Sequence, residues 1–355
     1  MNTENAVLVL EDGTAFDGTA FGTRGEATGE TVFYTGVVGY QEILTDPSYR
    51  GTLLVCTYPI IGSYGVNAED NESPAAQANG IIVKEYSAYY NNFRAEGDLE
   101  SFLTEHGVVG IQGVDTRALT VHLRDHGEMK GIIASGDVDR KALGKKLKST
   151  PSPFEGDLLG DLSAVDPPKP ESQTRKVAVL NLGLKRSLLG QLAELGYAVD
   201  ILPAAIDADE VLSKKPDGLI LAGGPGDPSV PTYAVESVKA LLGKLPILGI
   251  GLGHQVLALG LGCTTKRMTA GHRGVNYPVR DLVNDCCHIT AQNHSFIVDA
   301  ESVPDSVEVT HVNVNDQTVE GIRSKEHNAS SVQFHPSPDE MGRPNALLEE
   351  FLAGK

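Results

Sequence analysis

Short apolar runs alternate with segments of helical apolar spacing through the second half of the chain. Val177-Ala178-Val179-Leu180, Tyr197-Ala198-Val199-Asp200-Ile201-Leu202, Gly218-Leu219-Ile220-Leu221-Ala222 and Pro246-Ile247-Leu248-Gly249-Ile250 read as strands. Residues 187–196 and 235–242 read as helices between them, the first closed by Gly196. This alternation predicts a parallel sheet covered by helices on both faces. Beyond residue 270 the pattern turns strand-rich, at 287–290, 307–310 and 331–334, and the last of these strands delivers His335-Pro336 at its carboxyl end. The first half reads differently. Strands are expected at 7–10, from 15, and at 31–34, 53–58, 80–83, 108–111 and 131–134. Helical spacing runs through Leu99, Phe102 and Leu103, and again from the capping residue Asp115. Between the halves, Pro151, Pro153, Pro167, Pro168 and Pro170 mark a linker or an irregular wrapping segment. The expected organisation is a mixed, strand-rich domain over 1–150, a linker over 151–175 and an α/β domain over 176–355.

Ligands of parallel α/β sheets sit at the carboxyl ends of the strands. Two glycine turns fall on that edge, at 223–226 and 249–253. The second has the strand–turn–helix form of an elbow that lifts a nucleophile above a sheet, beside helix N–H groups. Its apex is Gly251, which carries no side chain. A dinucleotide-binding reading of Gly249-x-Gly251-x-Gly253 fails on spacing. The third glycine position is His254, and no acidic residue follows at the required distance.

Composition narrows the function classes. The formal charge of −18 argues against nucleic acid and anionic membrane as partners. The densest basic stretch, from Arg140 to Lys148, reads as one solvated helix face. The 355 residues with 41% apolar content suffice for two cores. No signal pattern and no long apolar run is present, which leads us to expect a cytoplasmic protein. The four cysteines, Cys56, Cys263, Cys286 and Cys287, lack C-x-x-C spacing and read as reduced thiols. No metal triad is expected, and His254, His294 and His311 read as structural or surface histidines.

Longer motifs then place the chain. It resembles the small subunit of carbamoyl phosphate synthetase over essentially its full length. The resemblance runs through Gly39-Tyr40-Gln41-Glu42-Ile43-Leu44-Thr45-Asp46-Pro47-Ser48-Tyr49, Ile61-Gly62-Ser63-Tyr64-Gly65-Val66-Asn67 and Asp115-Thr116-Arg117-Ala118-Leu119-Thr120. The second half is similar to class I glutamine amidotransferases through Gly224-Pro225-Gly226-Asp227-Pro228, Gly253-His254-Gln255, Ala291-Gln292-Asn293-His294 and Val332-Gln333-Phe334-His335-Pro336. The resemblance implies an amidotransferase-like open sheet and glutamine hydrolysis by a Cys–His–Glu triad. It also implies delivery of ammonia to a large subunit that holds ATP and Mg, with no cofactor in this chain. The product would feed arginine or pyrimidine synthesis.

That chemistry needs a thiolate nucleophile, an imidazole to carry the proton and a carboxylate to orient the imidazole. Here the family's Cys position is Gly251 and its Glu position is Ser337; His335 alone remains. By position, Ser48, Gly224, Gly226, Leu252, Gln255, Asn293 and Phe296 match the family's glutamine contacts, and Ser295 stands where the family has Gly. None of the four cysteines is expected to reach the elbow; Asp339 and Glu340 lie near His335 in sequence but off the family's spacing. The expectation is a chain that pairs with a synthetase large subunit, supports ammonia-dependent synthesis and does not hydrolyse L-glutamine. The alternative is a non-catalytic paralogue acting as a scaffold or amino-acid-binding module.

Overall fold

The computed structural model describes residues 4–160, 162, 166, 175–339 and 341–353. The chain forms two compact units. The first comprises residues 1–158 together with 269–273, and the second comprises 159–268 and 274–355.

The first unit is a closed barrel. Its strands are β1 (Asn5–Leu10), β2 (Ala15–Gly22), β3 (Glu26–Tyr34), β4 (Thr52–Cys56), β5 (Gly80–Ile82), β6 (Val109–Gln112) and β7 (Met129–Ser135), in the order β1-β2-β6-β5-β4-β3-β7. The β1–β7 pairing, Ala6 opposite Ser135, closes the ring and leaves no open edge. The period-2 pattern explains how the barrel fills. Leu8, Leu10, Leu53, Val55, Ile82, Ile111 and Ile133 point into one core. Val32, Leu54, Cys56 and Ile81 point into another with Ile43 and Leu44 of α1 (Tyr40–Thr45) and Leu99 and Leu103 of α2 (Leu99–Glu105). Helix α3 (Thr116–His126), capped by Asp115, adds Leu119 and Leu123 to the first core. The basic stretch is helix α4 (Arg140–Ser149), buried through Leu143 and Leu147 with its lysines outside. Residues 152–159 wrap onto the structure: Ser152, Phe154 and Leu159 are buried, and the Ser152 hydroxyl bonds Glu30. Most of the proline-rich segment beyond lies outside the described residues.

Residues 269–273 complete the barrel unit. Glu128 and Arg273 form a buried ion pair, with side-chain exposures of 0% and 3%. Glu128 Oε1 also accepts from the Gly271 N–H (2.8 Å), and Thr269 O accepts from the Glu128 N–H (2.9 Å).

The second unit is a sheet of nine strands among the described residues. These are β8 (Arg175–Asn181), β9 (Tyr197–Pro203), β10 (Gly218–Leu221), β11 (Ile247–Ile250), β12 (Thr265–Asp281), β13 (Cys286–Val298), β14 (Glu308–Asn313), β15 (Val319–Ser324) and β16 (Ala329–Val332). The order is β9-β8-β10-β11-β16-β15-β13-β12-β14; the first five are parallel and β15 runs antiparallel to β16. Helices lie on both faces, as the strand–helix rhythm implied. Ala178, Leu180, Leu219, Leu221 and Ile247 pack with α7 (Thr232–Leu241) and α8 (Leu252–Gly260). Val177, Val179, Ile220, Leu248 and Ile250 pack with α5 (Arg186–Glu194) and Leu348 of α9 (Ala346–Ala353). Helix α6 (Ala208–Ser213) adds Val211 to the first face.

Replacing Glu128 by Ala leaves a buried guanidinium without its carboxylate. We expect it to destabilise the barrel unit by about 3–5 kcal/mol, against a smaller loss for Glu128→Gln, measured by chemical denaturation.

Candidate active site

The site is built at the carboxyl ends of β10, β11 and β16. The turn after β11 has its apex at Gly251 with φ 58° and ψ −116°. No ordinary residue adopts that conformation cheaply; held there, a side chain costs about 1–3 kcal/mol. The Gly251 N–H donates to Val332 O on β16 (3.0 Å), and Gly251 O accepts from the His254 N–H (3.1 Å), so strand and helix both hold the turn. α8 starts with no side-chain cap, leaving its first N–H groups beside the apex.

Glycines around the apex separate into two kinds. A Cβ on Gly249 would lie 2.5 Å from Gly253 O, and one on Gly253 would lie 2.2 Å from Leu221 O. A Cβ on Gly224 would lie 1.8 Å from Leu182 O, and one on Gly183 would lie 2.4 Å from Gly223 O. Backbone packing alone demands glycine at these four. Gly251 is different: its Cβ would meet nothing nearer than Gly223 Cα at 3.3 Å. The apex has the elbow's conformation and nearly the room for a side chain that it does not carry. Gly226 has φ +86° and turns the second glycine loop. The residue types at Gly224 and Gly226 are therefore accounted for by packing and turn geometry.

His335 follows β16. Its N–H donates to Ala291 O (3.0 Å), which sets β13 alongside it. Burial, then the Lys185 ammonium, holds the imidazole pKa well below its ordinary value, so the ring is neutral near pH 7. Its Nε2 lies 3.3 Å from Ser187 Oγ, near the start of α5. Ser187 and Lys185 were not singled out in the sequence; they lie about 150 residues before the histidine, and no local pattern marks them. Ser337 is exposed. Its N–H donates to His335 O (2.9 Å), and its own carbonyl accepts from Asn345 Nδ2 (2.9 Å). Asp339 is exposed and engaged by Arg343 Nε (2.7 Å). Glu340 lies outside the described residues.

The segment 293–296, which holds the family-matched Asn293 and Phe296, lies inside β13. Asn293 is half-buried and Ser295 is 4% exposed. On alternating positions, His294 bonds Gln292 Oε1 through Nε2 and Phe296 O through Nδ1, both at 2.9 Å. Gln292 Nε2 donates to Glu320 (2.8 Å), which also accepts from Asn313. This buried polar network engages both ring nitrogens of His294. Gln255 is also engaged: its Nε2 donates to Phe296 O (2.6 Å) and Gln333 Oε1 (2.8 Å), tying α8 to β13 and to the chain after β16. Leu252 and Phe296 are buried at 4% and 7%. His254 is enclosed and bonds Ser331 Oγ through Nδ1 (2.8 Å); burial and His311 push its pKa down to about 3. Ser48 belongs to the first unit, where Asp46 Oδ1 accepts from its N–H (2.9 Å) and its hydroxyl (2.5 Å).

No cysteine stands at the apex. Cys263 follows the far end of α8, about 13 Å of helix away, within an apolar cluster with Ala258, Val298 and Val307. Cys56 is buried in the first unit, its thiol pushed up to about 12 by burial. Cys286 and Cys287 are exposed at the start of β13.

Comparisons with known proteins agree with this architecture. Residues 8–133 match the family model for the carbamoyl-phosphate synthase small chain, CPSase domain, and residues 178–353 match that for glutamine amidotransferase class-I. The chain is 44% identical over 346 residues to the carbamoyl phosphate synthase small chain of Syntrophotalea carbinolica, covering 93% of this chain and 92% of that one. It is 45% identical over 331 residues to that of Clostridium perfringens, covering 93% of each. With the small chain of Aquifex aeolicus it shares 44% identity over 348 residues, 94% of each. No helix among the described residues is long and apolar enough to cross a membrane. A barrel unit and an amidotransferase-like unit, each matched by its own family model, and end-to-end relatives above 40% identity place this chain in the carbamoyl phosphate synthase small-chain family.

Proposed function

We propose that this chain serves a synthetase large subunit as a small subunit without glutaminase activity, so that its complex makes carbamoyl phosphate from free ammonia. The observation that carries this is the apex: Gly251 holds the elbow's backbone conformation and has no nucleophile. A neutral imidazole at His335 has no thiol to deprotonate there, and Ser337 supplies no carboxylate to fix its tautomer. Loss of a nucleophile alone costs several orders of magnitude in such triads. Ser295, buried where the family has glycine, adds a hydroxymethyl group at that position. Within the second unit, Gly224, Gly226, Leu252, Gln255, Asn293 and Phe296 are read as the remnant of a glutamine-binding surface. The ATP, Mg2+ and bicarbonate chemistry belongs to the large subunit.

Two measurements test this reading. The chain co-purified with its cognate large subunit is expected to support carbamoyl phosphate formation with ammonium and not with glutamine; robust glutamine-dependent synthesis overturns it. The second restores the missing groups. Gly251→Cys with Ser337→Glu is expected to hydrolyse glutamine at least about 100-fold faster than the parent chain, the scale of a positioned acid–base pair. Adding Ser295→Gly is expected to lower KM further. Glutamate release in a coupled assay reads both.

A further inference from the structure

The β12–β13 hairpin brings three metal-ligating side chains together outside the elbow. Asp281 ends β12, and Cys286 and His288 open β13. Their ligand atoms all lie within 4.8 Å of one another. Cys286 and His288 are two residues apart on a strand and so share a face, while Cys287 points to the other. Cys286 Sγ and His288 Nε2 are 3.2 Å apart. Bond lengths of about 2.3 Å to sulfur and 2.0 Å to nitrogen put the S···N edge of a tetrahedral zinc site at about 3.5 Å, so the pair needs only a small opening to accept the ion.

The carboxylate is already oriented. Asp281 Oδ1 accepts from the Val283 N–H (2.8 Å) and the Asn284 N–H (3.0 Å), and Oδ2 accepts from Asn284 Nδ2 (2.7 Å). A carboxylate offers about four lone-pair directions, which leaves one on Oδ2 for a cation. Buried His311 backs that oxygen, its Nε2 at 3.8 Å and its Nδ1 bonded to Thr310 Oγ1 (2.9 Å). Such outer contacts orient ligands and raise affinity.

We propose that Asp281, Cys286 and His288 bind one Zn2+ ion. One thiolate, one imidazole and one carboxylate form a set that favours zinc over magnesium or calcium, which prefer all-oxygen sites. Three protein ligands leave a fourth position open. The three residues line one cavity of about 760 Å³, which His335 also lines. The site makes no use of the elbow, so it holds whether or not the glutaminase is dead.

The test is a cobalt titration of the full-length chain under a phosphine reductant. Co2+ alone serves as the spectroscopic probe, with Zn2+ added afterwards as competitor. The expected result is one Co2+ per chain with a thiolate-to-cobalt charge-transfer band, removed by stoichiometric Zn2+. Cys286→Ser is expected to abolish the band, His288→Asn to weaken binding at least about tenfold, and Cys287→Ser to leave both unchanged. All three positions are exposed or at a hairpin, and far-ultraviolet circular dichroism verifies that each variant is folded. No charge-transfer band, a band that survives Cys286→Ser, or equal loss in Cys287→Ser overturns the proposal.

Discussion

The close approach of backbones at the elbow is the constraint on which the second unit depends. α8 lies against β10 and β11 with Gly253 on Leu221 and Gly249 on Gly253. The loops after β8 and β10 meet through Gly183 and Gly224 at distances that exclude any Cβ. These contacts fix where α8 begins and hence the dihedrals of the residue at its head. The turn therefore keeps its conformation whether or not its apex bears a reactive group. Gly251 is the residue this frame leaves free: a Cβ there would meet nothing nearer than 3.3 Å.

The surroundings of His335 set its charge state. Burial and Lys185 favour the neutral ring, and Ser187 lies within hydrogen-bond reach of Nε2. A catalytic histidine needs its charged form stabilised part of the time, and a carboxylate does that. Here the position two residues on faces solvent as Ser337, tied to Asn345 by its backbone. The imidazole is left as a packed polar residue, held from Ala291 on one side and Ser187 on the other.

Much of this was legible in the sequence where periodicity is local. The strands of β8, β10 and β11 alternate Val177/Val179 against Ala178/Leu180 and Leu219/Leu221 against Ile220, and both faces carry helices as that pattern requires. The strand–turn–helix form of the elbow, with Gly251 at its apex, followed from motif spacing. Closure of the barrel was not legible, because β1 pairs with β7 across more than a hundred residues and strand patterns do not name partners. That 293–296 is strand was not legible either, since a ligand-contact motif says nothing about backbone pairing. Ser187 at His335, and the Gln292–His294–Glu320 network, depend on side chains brought together only by the sheet order.

The Glu128–Arg273 pair has a consequence for synthesis on the ribosome. Its members are 145 residues apart. At about 5–20 residues per second, the carboxylate is made roughly 7–30 s before its guanidinium. Through that interval every strand of the barrel has been made, while Arg273, which pairs with the buried carboxylate, has not. The Glu128–Arg273 contact therefore forms only after translation has passed well into the second half of the chain.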